Sequence, residues 1–170
     1  MIEKLENPGS VDINIRLATE ADALQLAKFR YAFRASTGHV SENEDEFVER
    51  CRLWMEERLR ESSSWQCWIA ELDQALVGHV WVQVIEKIPN PRSESESYAY
   101  LTNFYLIEGA RGRGIGSRLL SVALRWCKAR NVHAIILWPT ERSRSLYMRH
   151  NFAVGEDLLE LTIGEMKVEQ

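Results

Sequence analysis

The sequence predicts a single α/β domain in which helices pack on one mixed β-sheet. Three observations predict it. The hydrophobic period changes along the chain in the order strand, two helices, three strands, helix, strand, helix, two strands. A wholly apolar run at 134–138 follows a strand and an amphipathic helix, the pattern of a parallel crossover. The length, 170 residues with 45% hydrophobic and 27% charged, gives one domain a sizeable core and leaves no room for a second of ordinary size. Residues 1–12 read as an N-terminal tail and 13–170 as the domain.

Ile13, Ile15 and Leu17 alternate with polar neighbours as in a half-buried strand, and Thr19 with Asp22 has the form of a helix cap. Leu24, Ala27 and Tyr31 recur at helical spacing, as do Phe47, Cys51, Trp54 and Arg58 or Leu59 after a Gly-His break, with Ser62 to Ser64 ending the second helix. Trp65 to Glu71 and Leu76 to Ile85, rich in Trp, Val and Ile and separated by Asp73 and Gln74, form a β-hairpin. The stretch IPNPRSESES at 88–97 is a loop, a candidate mobile lip beside a site. Tyr98 to Leu106 reads as a strand, and Ile115 to Arg130, apolar at 115, 119, 122 or 123 and 126, as an amphipathic helix. Pro139 stops the strand at 134–138, Ser143 to His150 is a short helix closed by Asn151, and Phe152 to Val168 supplies two final strands.

The net charge of −4 argues against general nucleic-acid binding, but the charge is uneven. Between Arg111 and Arg149 stand nine bases and one acid, Glu141, while the rest of the chain has twice as many acids as bases. No apolar stretch approaches a membrane span, and MIEKLENPGS lacks the apolar core of a signal peptide, so a cytoplasmic protein is expected. Cys51, Cys67 and Cys127 read as buried thiols. The histidines 39, 79, 133 and 150 make no metal spacing, and no metal is expected.

The positive charge gathers around the turn RGRGIG, from Arg111 to Gly116, between a strand and a helix. A helix start offers backbone N–H groups and the positive end of the dipole, and glycines let an anion approach closely. Two familiar phosphate motifs fail here. A Walker loop needs Gly-Lys-Ser/Thr, and Gly116 is followed by Ser117 and Arg118. A dinucleotide fingerprint needs a third glycine at 117 and an acid some 20 residues on, and none lies between Glu108 and Glu141.

The pattern that fits is Arg-x-x-Gly-x-Gly, met by Arg111, Gly114 and Gly116. With TNFYLIEGARGRGIGSRLL around it, SRSLYMRHNF downstream and IRLATEADA at the start, the chain resembles the GNAT superfamily of N-acetyltransferases. The resemblance implies a splayed mixed sheet and acetyl-coenzyme A as co-substrate. It implies that Gly112, Arg113, Gly114, Ile115, Gly116 and Ser117, with Arg111 beside them, receive the pyrophosphate. Phe104, Tyr105 and Leu106 pair with the pantetheine arm, and Thr140 and Ser143 complete the cofactor contacts. The Leu106 N–H becomes the oxyanion donor and Tyr147 the general acid on the departing thiolate. The sequence departs from the family pattern at Thr140, often Asn; at Asn151-Phe152, usually Gly-Phe; and at Leu106-Ile107-Glu108, usually Val-x-Pro.

The acceptor implied is a primary amine on a small molecule or a protein, attacking directly in a ternary complex. A lysine-like amine of pKa about 10.4 is unprotonated in roughly one molecule in 2,500 at pH 7, an α-amine near 7.8 in about one in seven. Relatives that place Glu on the strand after the long helix find here Ala134, Ile135, Ile136 and Leu137. Other candidates for moving the proton are Glu96, His79, and Asn103, Tyr98 or Tyr100 holding a water. His79, Trp81 and Gln83 share a strand face that either lines the acceptor site or faces solvent. The tryptophan-rich hairpin and IPNP loop serve either an amphipathic amine or a homodimer contact. The reading from a different class is a non-catalytic acyl-CoA-binding or sensing domain of the same fold.

Overall fold

The structure, a computed structural model, describes residues 13–38, 40–60, 64–91, 97–155 and 158–161. The chain divides into two compact units, Met1–Trp138 and Pro139–Gln170. In the first, five strands lie side by side in chain order: β1 (Ile13–Leu17), β2 (Trp65–Leu72), β3 (Ala75–Glu86), β4 (Ser97–Leu106) and β5 (Ala134–Ile136). The first four are antiparallel and β5 joins β4 in parallel. The mixed α/β class expected from the sequence is what the chain adopts.

Side-chain alternation assigns the two faces of this sheet. Cys67, Ile69 and Trp81 face helices α1 (Ala23–Ala35) and α2 (Glu44–Arg60), forming a core with Ala23, Leu26, Ala27, Val48 and Met55. Trp68, one residue out of step, turns to the opposite face and meets Trp126 of α3 (Ile115–Ala129) edge to face, ring centroids 5.3 Å apart. On α3 the buried residues Ile115, Leu119, Leu120, Ala123 and Cys127 form one stripe.

Local chemistry accounts for the joints. Asp73 (φ 49°) and Gln74 (φ 68°) both take the left-handed conformation that a two-residue type I′ hairpin requires. The Asn43 side chain accepts from the Asp45 N–H at 2.9 Å at the start of α2, whose first turn is acidic and whose last turn carries Arg58 and Arg60, complementing the helix dipole. Asp22 accepts from the Thr19 N–H at 2.7 Å and is bracketed by Arg16, which also binds Glu71. Those guanidinium contacts hold the Asp22 carboxyl below its usual range against the upward pull of burial, which is the larger single influence.

Several expectations need correction. On α1 the buried face is Ala23, Leu26, Ala27 and Phe29, and Leu24 is exposed, so the stripe is rotated from the one the sequence suggested. The strand expected through residue 138 stops at Ile136, only three residues long and half-buried, and Trp138 lies exposed. Helix α4 (Glu141–Arg149), in the second unit, begins two residues earlier than expected because Thr140 caps it. Residues 152–155 and 158–161 carry no strand, and the rest of the segment expected to hold two strands lies outside the described residues, as do residues 1–12, His39, residues 61–63 and residues 92–96 of the serine-rich loop.

Candidate functional site

The site begins with an irregularity in β4. His79 pairs with Tyr105 and Trp81 with Thr102, so Asn103 and Phe104 together oppose the single residue Val80. Asn103 stands at φ 47°, the left-handed conformation that Asn tolerates better than most residues. A bulge of this kind bends its strand, and β5 follows β4 only from Tyr98 to Tyr100. From Leu101 onward that side of β4 has no β5 partner. The sheet is splayed there.

Which backbone groups face the open side follows from the antiparallel rule. The Ile107 N–H donates to the Val77 C=O at 2.9 Å, so 107 and 77 are a hydrogen-bonded pair. Gly78 and Leu106, the next pair, are then of the other kind, and the N–H and C=O of Leu106 turn away from β3 toward the open edge. Tyr105 is of the bonded kind and its main chain serves the sheet. Gly78 permits this: a Cβ there would stand 2.3 Å from Leu106 Cδ2 and 2.7 Å from the Tyr105 carbonyl oxygen. Nothing in the sequence reading singled out Gly78, although a lone glycine inside a strand pattern is the signal of such an approach.

The glycine turn follows at once. A 3-10 turn at Glu108–Ala110 carries the chain round, then Gly112 and Gly114 both stand at φ 75°. A Cβ at either would meet no atom within 4 Å, so conformation and not crowding demands glycine, and the turn surface is open. The first bond of α3 runs from the Arg118 N–H to the Gly114 C=O at 3.1 Å, so the amides of Ile115 and Gly116 precede the helix ladder. Arg113 and Gly114 are exposed, Ser117 half-buried. Arg111 makes a contact that the sequence reading did not name: its Nε donates to the Leu106 C=O at 3.1 Å, tying the strand end to the turn.

In the second unit, Thr140 and Ser143 cap one another. The Ser143 N–H donates to Thr140 Oγ1 at 3.3 Å, and the two hydroxyls lie 2.9 Å apart. Helix α4 closes with Asn151 at φ 64°, where the Asn151 N–H donates to the Met148 C=O and the Phe152 N–H to the Tyr147 C=O, both at 3.1 Å. This is a Schellman closure. Its accompanying apolar contact is Tyr147 against Phe152, edge to face at 5.5 Å. Tyr147 is buried, and desolvation pushes its phenol up to about 12, so it is fully protonated at neutral pH.

The substrate-side candidates separate. A cavity of about 380 Å³ opens between α1, α2 and the sheet, lined by Arg30, Phe47, Arg50, Cys51, Trp54, Met55, Trp65, Trp81, Tyr100, Thr102 and Asn103. Trp81, Asn103 and Tyr100 thus meet at one space. His79 does not line it. It is fully buried, stacked on Phe29 with centroids 6.0 Å apart, and burial pushes it down to about 4. Asn103 exerts a weaker upward pull, but its amide is outside hydrogen-bonding geometry, and neither ring nitrogen has a partner among the described residues. His79 therefore faces neither solvent nor this cavity. Tyr98 packs on His133 away from the cavity, and Glu96 lies outside the described residues. Arg30, which the sequence did not flag, reaches Asn103 Oδ1 at 3.3 Å. Of the cysteines, Cys67 and Cys127 are buried as expected, and Cys51 is half-buried in the cavity wall.

Among the described residues no helix is long and apolar enough to cross a membrane, and no three His, Cys, Asp or Glu side chains gather as for a metal.

The sequence profile of the acetyltransferase (GNAT) family matches residues 27–152. No curated protein matches the chain. Among solved structures, the chain is similar to a predicted acetyltransferase from Clostridium acetobutylicum, solved with acetyl-CoA, at 24% identity and a TM-score of 0.74 over 89% of this chain and 96% of that one. It is similar to a GCN5-related N-acetyltransferase from Ralstonia eutropha at 23% identity and a TM-score of 0.75 over 90% and 100%. A ribosomal-protein-alanine N-acetyltransferase from Brucella melitensis shares 17% identity with a TM-score of 0.64 over 91% and 100%.

Proposed function

The chain belongs to the acetyltransferase (GNAT) family, whose co-substrate is acetyl-CoA, and from that premise we propose that it transfers an acetyl group directly to a primary amine in a ternary complex. The observation that carries the reading is the pairing of two backbone features in the first unit: a left-handed glycine turn ahead of α3, and a splayed β4 end whose Leu106 amide turns to the open edge.

The fit to acetyl-CoA rests on the open turn surface and the amides of Ile115 and Gly116 ahead of the helix ladder. Gly112, Arg113, Gly114 and Ser117 complete the phosphate contacts in this reading. Phe104, Tyr105 and Leu106 flank the pantetheine arm, with Leu106 supplying the edge groups for pairing. Thr140 and Ser143 lend their hydroxyls. Acetyl-CoA supplies the acetyl group as a thioester, activated toward attack.

The Leu106 N–H donates to the carbonyl oxygen as negative charge develops there, a fixed dipole that needs no reorganisation. Arg111 is a positioning residue, since it holds the Leu106 carbonyl and so the orientation of that peptide. The Tyr147 hydroxyl gives its proton to the departing sulfur and is reprotonated by the proton that the attacking nitrogen loses as the neutral amide forms. A phenol near 12 keeps that proton at every physiological pH. Among the described residues no Asp, Glu or His lines the cavity, so in this reading the amine sheds its proton before it attacks. The same lack favours the second reading, an acyl-CoA-binding domain without turnover.

The test is thiol release from acetyl-CoA with amino acids, peptides, polyamines and aminoglycosides, with Tyr147→Phe as control. Transfer to an amine, lost in the variant, supports the enzyme. Tight acetyl-CoA binding with no transfer, unchanged in the variant, supports the binding domain.

A further inference from the structure

The cavity's charge is one-sided. Among the described residues its lining holds two guanidiniums, Arg30 and Arg50, and no carboxylate. Arg50 is answered from outside the lining by Glu42 at 2.5 Å. Arg30 is not: among the described residues it makes no ion pair, and its polar contact is the neutral Asn103 amide. One helical turn on, Arg34 also makes no ion pair among the described residues, and both line an adjoining cavity of about 170 Å³ whose carboxylate, Glu42, is the one bound to Arg50. Like charges at this spacing oppose each other, and a half-buried cation without a counter-ion is costly. Burial and Arg34 both lower the pKa of Arg30, as expected of a cation lacking an anion.

A second group in the same wall lacks a partner. Trp81 is 1% exposed and its Nε1–H has no hydrogen-bond acceptor among the described residues. The remaining lining is aromatic, with Trp54, Trp65 and Trp81 in mutual contact at centroid distances of 5.3 to 6.1 Å. The cavity meets β4 at the Asn103 bulge, three residues or about 10 Å of strand from Leu106.

We propose that this cavity takes an amine acceptor bearing a carboxylate on an aromatic or aliphatic body, with the carboxylate on the Arg30 guanidinium and the apolar part against Trp54, Trp65 and Trp81. The assignment rests on the acetyl-transfer reading and names its substrate class. A planar carboxylate matches the guanidinium fork and supplies the counter-ion that Arg30 lacks among the described residues. The same wall disfavours polycationic amines, since among the described residues it offers them no acid.

The test is a titration of the full-length protein followed by tryptophan fluorescence. The probes are phenylalanine, tryptophan and methionine, each against its carboxamide and its decarboxylated amine, with spermidine alongside and thiol release measured in parallel. We expect each acid to bind at least about tenfold more tightly than its carboxamide. Arg30→Gln should abolish that ratio and leave the decarboxylated amines unchanged, and Arg30→Lys should restore part of it. Equal binding of acid and carboxamide, absence of binding by every acid, preference for spermidine, or an unchanged ratio in a folded Arg30→Gln overturns the assignment. Acid-selective, Arg30-dependent binding without thiol release supports the assignment and removes the acetyl-transfer reading. Thiol release with carboxamides or spermidine as readily as with acids does the reverse.

Discussion

The aromatic cavity meets β4 at Asn103, three residues before the Leu106 strand end that leads into the glycine turn, and the cavity and the turn are built from opposite materials. The turn works through backbone: two glycines at φ 75°, amides ahead of a helix ladder, and a carbonyl held by Arg111. The cavity works through side chains contributed by two helices and three strands, with Arg30 and the Trp81 N–H as its unanswered polar groups. A backbone site depends on a short local sequence, because glycine takes the left-handed conformation at the least cost. A side-chain site depends on long-range packing, so its residues are scattered over more than 70 positions. In the proposed reading, one end of the reaction is fixed by local rules and the other by assembly.

The comparison can be broken at four points, in descending order of effect. Tyr147→Phe should lower kcat at least about 100-fold while leaving acetyl-CoA affinity unchanged, measured by steady-state kinetics and calorimetry. With the phenol near 12, the wild-type rate should rise with pH as the amine deprotonates and show no alkaline fall below about pH 11.

His79 should set an acid limb of stability. Its folded value of about 4 lies below its ordinary 6.5, so between those values the unfolded chain binds a proton that the folded chain refuses. Stability is therefore fully present above pH 6.5 and falls as the pH drops toward 4, by about 2 to 3 kcal/mol. Urea unfolding at pH 7.5 and 4.5 measures the fall, which His79→Leu should remove.

Gly78→Ala, at the seam between β3 and the Leu106 end of β4, should cost about 1 to 3 kcal/mol, since the new methyl meets backbone as well as the flexible Leu106 side chain. Thermal unfolding reads that cost, and a parallel loss of kcat would mark displacement of the Leu106 amide. Arg111→Gln should have the smallest effect, a fall in kcat of roughly three- to tenfold from one lost hydrogen bond, with acetyl-CoA affinity less affected. An effect confined to affinity would instead put Arg111 on phosphate.

Much of this molecule can be read before it is folded, and the exceptions share a cause. The hairpin, the strand before the turn and the long helix stand within a residue or two of their expected limits, because Asp73-Gln74, the glycines and a clean apolar stripe act over a few residues. Phe47, Cys51 and Trp54 recur at helical spacing like core residues, yet they line the cavity, while Val48 and Met55 carry the burial and Met55 also reaches the cavity wall. Periodicity reports a face of a helix and not whether that face meets protein or a void. Arg30 looks like a solvated helix charge until α2 and β4 enclose it. The end of β5 at Ile136 follows from the bulge in its neighbour, which a run of apolar residues cannot announce. His79 looked available because it alternates with Gln83, but α1 lays Phe29 over it.

The central claim is that the turn at 111–116 holds the phosphates of acetyl-CoA, and calorimetric titration of acetyl-CoA into the wild type and Gly114→Val tests it most directly. A valine at φ 75° is strained by about 1 to 3 kcal/mol and masks the amides behind it, so one-to-one binding by the wild type should weaken at least about tenfold in the folded variant. Wild-type protein that fails to bind, or a variant that binds as tightly as the wild type, would contradict the account.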